Sequence, residues 1–258
     1  GEGLVGSWFA LVAYATTAAA SKTGLLSGVT SWVKGLWVTD LTTIPATIGL
    51  PNWGGVVILA SVTGLIVHRF IVLERNRPAQ IQLPAQRTGL AHLLLEKQWN
   101  PLATGFLVGV VAVIAWPTSW ASGRPDGLGI TTPSSNLVNL IVTGDVERLD
   151  WGVLLVLGIL LGSYLAAKAS GEFRVRVPSA QVIQRSIAGG VLMGIGAAWA
   201  GGCSIGNALV QTSLLSWQGW IALVFQVLGV GVAAWFLLIR PRQRRRAERA
   251  GSRVPATV

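Results

Sequence analysis

The stretch from Gly189 to Ser216 constrains the fold more than any other part of the chain. It is apolar and free of charged residues, it contains the only cysteine of the sequence, Cys203, and the pair Gly201-Gly202 interrupts it. Glycine leaves helical backbone angles at little cost. The stretch therefore predicts a membrane helix that breaks after Trp199 and resumes as a half-helix running to about residue 215.

A second helix is expected to pack closely against the first part of this stretch. Gly190, Gly194 and Ala198 recur at every fourth residue, which places three small side chains on one helix face. In lipid, such a face lets two helix backbones approach each other. We therefore assign Gly194, and with it Gly196, to helix packing rather than to ligand binding.

The break itself is the candidate binding site. Irregular backbone at membrane depth is tolerated where it is buried in protein or lines a polar cavity, and half-helix N-termini that face an anion recur in transporters. Ser204 or Asn207 is expected to cap the second half-helix, and Asn207 is equally suited to donate its amide to an ion. The competing interpretation is a small buried cysteine between packing glycines. The candidate substrate-binding residues are Gly201, Gly202, Cys203, Ser204, Gly206 and Asn207.

The composition independently indicates a polytopic membrane protein. Hydrophobic residues make up 52% of the chain and charged residues 12%, about half the charge of an average soluble domain. We predict an all-α fold with about six transmembrane crossings and short re-entrant or half-helices. The predicted crossings are 7–23, 53–73, 100–116, 151–167, the broken element 187–215, and 220–239. The segment 136–142, capped by Ser134 or Ser135, is predicted to be re-entrant, with an ordinary external loop as the alternative.

The basic residues predict the orientation of these crossings. Of the 20 Lys and Arg residues, five lie in 68–98, four in 168–185 and seven in the tail from residue 240. Six crossings place these three segments on one side of the membrane, and by the positive-inside rule that side is cytoplasmic. The C-terminus is therefore predicted to be cytoplasmic. The net charge of the chain is +10. We expect the basic tail to contact anionic lipid headgroups, so this charge does not require a nucleic-acid partner.

The glycine and cysteine pattern resembles a motif of a known family. The run from Gly189 to Asn207, GG-x3-G-x-G-x3-AGGCSIGN, followed by LLSW and an apolar helix, is similar to the second cysteine motif of the YeeE/YedE family. Members of that family are bacterial inner-membrane proteins that take up thiosulfate. The segment 99–144 resembles the opening of the family's second half. The first 24 residues resemble the run that follows its first cysteine motif, so the resemblance implies a missing N-terminal part that carries the family's other cysteines.

The resemblance also implies a domain organisation with two pseudo-symmetric halves. Residues 1–73 are expected to be the remainder of the first half with a connecting span, 74–98 a cytoplasmic linker, 99–239 the second half, and 240–258 the basic cytoplasmic tail. The segments SWFALVAYAT (7–16) and SWQGWIALVF (216–225) align with opposite predicted directions, which is typical of inverted repeats. The resemblance places the cysteine motifs at a central constriction.

The sequence favours a permease for thiosulfate or a related sulfur anion over two alternatives. A membrane sulfur-transfer enzyme would use Cys203 as a nucleophile, but residues adjacent to Cys203 in sequence offer no base or cation to activate it. A non-transporting subunit would recruit a cytoplasmic, TusA-like sulfur-carrier protein, which is also a candidate partner of the permease. We predict no catalytic residue, cofactor or metal site: His68 and His92 are assigned to loops. Thr131, Thr132, Ser134 and Ser135 are expected to form a loop turn and cap, with hydroxyls at the mouth of the path as the alternative.

Overall fold

The computed structural model describes residues 5–36, 42–75, 99–171, 173–241 and 243, and this part of the chain consists of helices joined by turns and short loops, without a β-strand. The helices are α1 (Val5–Lys22), α2 (Ser27–Gly35), α3 (Ile44–Thr47), α4 (Asn52–Arg75), α5 (Pro101–Ala121), α6 (Thr131–Thr143), α7 (Trp151–Ser170), α8 (Ala180–Trp199) and α9 (Trp217–Ala234). Two π-helical segments, Ile205–Gln211 and Trp235–Ile239, follow α8 and α9. The prediction of an all-α polytopic membrane protein is confirmed.

Five of the described helices are long and apolar enough to cross a membrane. They are Asn52–Leu73, Pro101–Ala121, Trp151–Ser170, Ala180–Trp199 and Trp217–Leu237. The sixth predicted crossing, 7–23, is helical as α1, but its Thr, Ser and small residues keep it below the hydropathy of the other five. The apolar side chains of α4 and α9 are largely exposed, which gives these helices surfaces suited to lipid tails.

Among the described helices, the most extensive contact joins α1 to α8. The two helices run parallel, since Gly6 lies against Ser186, and Gly194 lies against the backbone of Tyr14 and Ala18. Gly190, Gly194 and Ala198 are all buried at this contact. The predicted close approach along the small-residue face is therefore confirmed, and its partner is α1. Both helices are predicted from the charge distribution to leave the cytoplasm, which agrees with their parallel packing.

Gly196 does not share this packing role. It is exposed, and no atom of the described residues lies within 4 Å of the position that a Cβ would occupy. The reason is helical periodicity, because Gly196 is two residues beyond Gly194 and points away from α1. The prediction that Gly196 packs against a helix is not supported by the described part of the chain.

Several element boundaries differ from the predicted ones. The helix α8 begins at Ala180, so 180–185 of the predicted basic loop are helical, and α5 continues through Pro117 to Ala121. His68 lies inside α4 rather than in a loop, whereas His92 lies outside the described residues. Most of the predicted linker 74–98 and tail 240–258 also lies outside them, so the roles of both segments stay predictions.

The helix α6 begins earlier than the sequence pattern suggests. It starts at Thr131 after Ile130, so Ser134 and Ser135 are helical residues and not caps. Pro133 is compatible with this start because proline is tolerated in the first helical turn. At a rise of 1.5 Å per residue, 13 residues span about 20 Å, which is less than the membrane core of about 30 Å. The re-entrant placement of this segment stays a prediction.

Candidate functional site

The predicted break in the helix is present at Gly201. The helix α8 ends at Trp199, Gly201 has a φ of 74°, and the chain resumes as the π-helical segment Ile205–Gln211. A left-handed backbone of this kind strains residues that carry a Cβ. The glycine therefore permits the reversal that leaves Cys203 between two helical segments.

Asn207 holds the break closed with its side chain. It is fully buried, and its amide donates to the carbonyl oxygens of Ala200 at 3.1 Å and Gly202 at 2.7 Å. Both amide hydrogens are thus used within the loop. Ser204 stands at the N-cap position without a side-chain cap bond, so neither residue caps the half-helix with its side chain as predicted.

Gln218 is a second polar residue at the break that the sequence analysis missed. From the first turn of α9, its amide donates to Ala200 O and to Asn207 Oδ1, each at 3.1 Å. It also contacts Gly201, where a Cβ would lie 2.7 Å from its amide nitrogen. A glutamine in the first turn of a largely apolar helix was the available sequence signal.

A cavity of about 80 Å³ opens beside the break. This volume is several times the roughly 10–15 Å³ that one water molecule requires, so a small polyatomic ion is of suitable size. Its lining comes from three segments: the loop after α5, the start of α6, and the break with the turn that follows it. The lining residues are Arg124, Asp126, Gly127, Leu128, Gly129, Ile130, Thr131, Thr132, Gly201, Gly202, Cys203, Gly206, Asn207, Val210 and Gln211.

Backbone amides from two helix starts converge on the sulfur of Cys203. Ile205 and Gly206 approach it from the segment that follows the break, and Ile130 approaches it from the residue before α6. The first N–H groups of a helix have no partner within the helix, and the helix dipole makes this end favourable for negative charge. The cavity is therefore bordered by two N-termini and a thiol.

The side chain of Cys203 also meets two hydroxyl groups. Thr131 lines the cavity together with Cys203, and the hydroxyls of Thr131 and Tyr14 both lie near its sulfur. Tyr14 in turn donates a hydrogen bond of 2.8 Å to Thr131 Oγ1. The three residues come from α1, α6 and the break, so only the tertiary fold brings them together. The sequence analysis did not select Tyr14, although a lone tyrosine among small residues was visible in α1.

Two cations lie close to the cavity. Arg124 lines the cavity directly, and its side chain is 12% exposed. Its guanidinium donates hydrogen bonds to Ser119 Oγ and Gly127 O. It also lies 3.7 Å from the carboxylate of Asp126 and 3.9 Å from that of Asp150. Lys22, at the end of α1, donates to Thr132 Oγ1. Neither cation was predicted from the sequence to belong to the site.

Most of the predicted site residues come together, and one does not. Gly201, Gly202, Cys203, Gly206 and Asn207 line the cavity, whereas Ser204 is exposed and does not. Among the four hydroxyl residues near α6, Thr131 and Thr132 line it. Ser134 and Ser135 are buried and lie outside the lining. Ser204 is therefore the one predicted site residue outside this lining, and two of the four hydroxyl residues belong to the lining.

Helices of membrane length, together with an interrupted helix that borders a cavity suited to an anion, are typical of membrane transport proteins. The chain belongs to the Sulphur transport family, whose sequence pattern matches residues 1–232. It is 46% identical over 252 residues to the thiosulfate transporter TsuA of Escherichia coli strain K12, covering 98% of this chain and 71% of that protein. It is 33% identical over 254 residues to the thiosulfate transporter TsuA of Spirochaeta thermophila, covering 93% of this chain and 70% of that protein.

Proposed function

We propose that this protein is a permease that takes up thiosulfate or a related sulfur-containing anion through a constriction lined by Cys203. The observation that carries the proposal is the cavity at which two helix starts and the thiol converge. The names of the two relatives support thiosulfate as the substrate. The proposed substrate-binding residues are Gly201, Gly202, Cys203, Ser204, Gly206 and Asn207, in which Asn207 acts by holding the loop and Ser204 lies at its exposed side.

The chemistry of the lining suits an ion with two kinds of terminal atom. Thiosulfate has three hard oxygens and one soft, polarizable sulfur. Helix N-terminal amides are suited to the oxygens, whereas the Cys203 thiol, which is polarizable and a weak S–H donor, suits the sulfur. Gly202 and Gly206 carry no side chain, so the ion can approach their backbone closely.

The charges near the cavity favour passage over tight capture. Arg124 shares its charge with Asp126 and Asp150, and Lys22 is separated from the cavity by the hydroxyl of Thr132. The two cations attract a dianion to the mouth, but the constriction at Cys203 relies on dipoles. Conduction requires binding that is weak enough for release.

The same proposal includes the location and the organisation of the chain. We place the protein in the bacterial inner membrane with a cytoplasmic C-terminus, in contact with membrane lipid. Residues 1–73 and 99–239 belong to two inverted halves, joined by the linker 74–98 and followed by the tail 240–258. A reporter that is active only in the cytoplasm, fused after Val258, tests the orientation, and an inactive fusion at normal expression would contradict it.

Uptake of radiolabelled thiosulfate tests the function directly. The natural full-length protein and its Cys203→Ala variant are expressed at matched membrane levels in bacteria that lack other thiosulfate importers. We expect uptake by the natural protein and its loss in the variant. Ser213→Ala is the matched control because Ser213 bonds only the carbonyl oxygen of Val210 and lies outside the cavity lining, so this variant should retain uptake. Wild-type uptake by Cys203→Ala would contradict the assignment of Cys203.

The fate of the labelled sulfur separates the permease from the two alternatives. A permease delivers intact thiosulfate to the cytoplasm and leaves the Cys203 peptide unmodified in mass spectrometry. A sulfur adduct on Cys203 during turnover would instead support a sulfur-transfer enzyme. Absence of uptake, together with copurification of a cytoplasmic sulfur-carrier protein, would support the recruiting subunit.

A further inference from the structure

Arg124 is fixed in place by the end of α5 and by its own loop. Its backbone N–H donates to Ser119 O at 3.1 Å, and Ser119 Oγ donates to Arg124 O at 3.0 Å. One guanidinium nitrogen, Nη1, donates to Ser119 Oγ at 3.3 Å and to Gly127 O at 3.1 Å. Ser119 is fully buried. The guanidinium is therefore held at the wall of the cavity and cannot follow a ligand away from it.

The two carboxylates beside this guanidinium differ in how firmly they are held. Asp150 lies 3.9 Å from Nε, and both of its oxygens have other partners. Its Oδ1 accepts from Val153 N at 2.8 Å, and its Oδ2 accepts from Asn136 Nδ2 at 3.2 Å. Asp126 lies 3.7 Å from Nη2 with a side chain that is 69% exposed. A hydrogen-bonded ion pair has a separation of about 2.7–2.9 Å, so Asp126 is only loosely paired.

The nitrogen Nη2 of Arg124 borders the cavity. It lies 3.6 Å from the position that a Cβ would occupy on Gly129, and Arg124, Asp126 and Gly129 all line the cavity. The loop that carries these residues joins α5 to α6, on the side that the charge distribution predicts to lie opposite the cytoplasm. Nη2 is therefore a charged donor available to an anion that enters during uptake.

We propose that Nη2 of Arg124 is an entry site for the oxygens of the transported anion, and that Asp126 is its exchangeable counterion. This inference rests on the proposed function. An entering anion displaces the loosely paired carboxylate, which turns toward solvent. The same carboxylate pairs with Arg124 again when the anion moves on toward the break. Competition of the two anions for one cation keeps binding weak enough for release, as conduction requires.

Asp126→Asn tests the exchange because it removes the competing charge and keeps the shape of the side chain. The natural full-length protein and the variant are compared in equilibrium binding of radiolabelled thiosulfate in detergent, and in uptake by bacteria that lack other thiosulfate importers. The strength of an exposed ion pair corresponds to a change of about two- to fivefold, so the variant should bind thiosulfate more tightly and have a lower KM by this factor. Its maximal rate should fall, because no carboxylate replaces the departing anion.

Three further variants separate the exchange from a general effect of charge. Asp145→Asn removes the carboxylate of another exposed pair, 3.1 Å from Arg148 and outside the cavity lining, and should leave binding and uptake unchanged. Asp126→Glu keeps the charge and should retain close to the natural KM and maximal rate. Arg124→Gln should raise the KM several-fold. In that background Asp126→Asn should have no further effect, because the two residues act through one pair.

Normal uptake by the natural protein together with an unchanged KM in Asp126→Asn would overturn the exchange alone. A lower KM with an unchanged maximal rate would also overturn it, as would a lower KM that Asp145→Asn reproduces, because both indicate a general effect of negative charge on the approach of the anion. If Arg124→Gln does not reach the membrane, Asp126→Asn decides together with Asp126→Glu and Asp145→Asn. Absence of thiosulfate binding and uptake in the natural protein would contradict the proposed function itself.

Discussion

Two glycine-rich regions lie within a dozen residues of each other and serve different purposes. Gly190 and Gly194 lie inside α8, where α1 leaves no room for a side chain. Gly201 and Gly202 lie just beyond the helix, where the backbone reverses and borders a cavity. The first region is close-packed and holds two helices together, whereas the second is open and polar. Glycine is thus required in the first region because another helix packs against it, and in the second because the backbone of Gly201 adopts a left-handed conformation.

The strongest test of the packed region is Gly190→Ala. The new methyl group would overlap the carbonyl oxygen of Ala10, and a backbone atom cannot move aside without shifting α1. Overpacking of this kind costs about 1–3 kcal/mol, so we expect a lower midpoint of thermal unfolding in detergent and reduced protein in the membrane. Gly189→Ala is the control because its Cβ would meet open space. Equal stability of the two variants would contradict the close contact.

Asn207→Ala tests what keeps the open region in shape. The change leaves the carbonyl oxygens of Ala200 and Gly202 without their amide donor. Unsatisfied buried polar groups cost about 1–3 kcal/mol. We expect Asn207→Ala to reduce thiosulfate uptake more strongly than it lowers the free energy of unfolding. Asn139→Ala removes a comparable amide from a bond on the exposed surface and should be neutral. Full uptake by Asn207→Ala would show that the break does not depend on this side chain.

Gly201→Ala probes the backbone reversal. A residue with a Cβ in the left-handed region costs about 1–2 kcal/mol, and the methyl group would also press on the amide of Gln218. Because that amide ends a flexible side chain, we expect a smaller loss of stability than for Gly190→Ala and a clear loss of uptake. Gly201→Asn should recover part of the uptake, since asparagine tolerates this conformation better than alanine. Equal uptake by the alanine and asparagine variants would argue against a conformational cause.

The smallest effect on stability is expected for Gly206→Ala. Gly206 lines the cavity, and its added Cβ would meet no atom within 4 Å, so the unfolding midpoint should remain unchanged. The methyl group would occupy space at the cavity that Gly206 lines and should raise the KM for thiosulfate. Gly229→Ala, with equal free space on α9, controls for the substitution itself. An unchanged KM would place the path of the ion away from Gly206.

The sequence predicted the features that depend on neighbouring residues in the chain. The apolar runs predicted five of the helices that are long enough to cross a membrane, and the spacing of Gly190, Gly194 and Ala198 predicted a close helix contact. The glycine pair predicted the break after Trp199. Each of these follows from helical periodicity or from the conformational freedom of glycine, both of which are local properties.

Predictions that required knowledge of spatial neighbours were less accurate. Ser204 and Asn207 both had the chemistry of a cap, but Asn207 is committed to carbonyl oxygens of the break. The start of α6 was placed at Ser134 or Ser135, whereas the helix begins at Thr131. In each case several polar residues of similar propensity competed locally, and the packing around them selected among them.

The sequence by itself determined that this chain is a helical membrane protein with an interrupted helix at its cysteine, because hydropathy and glycine placement act along the chain. Only the tertiary structure decided what surrounds that cysteine. Tyr14, Thr131 and Gln218 are far from one another in sequence and meet at the break because α1, α6 and α9 pack there. Hydrogen bonds between distant side chains depend on that packing, which no local pattern encodes.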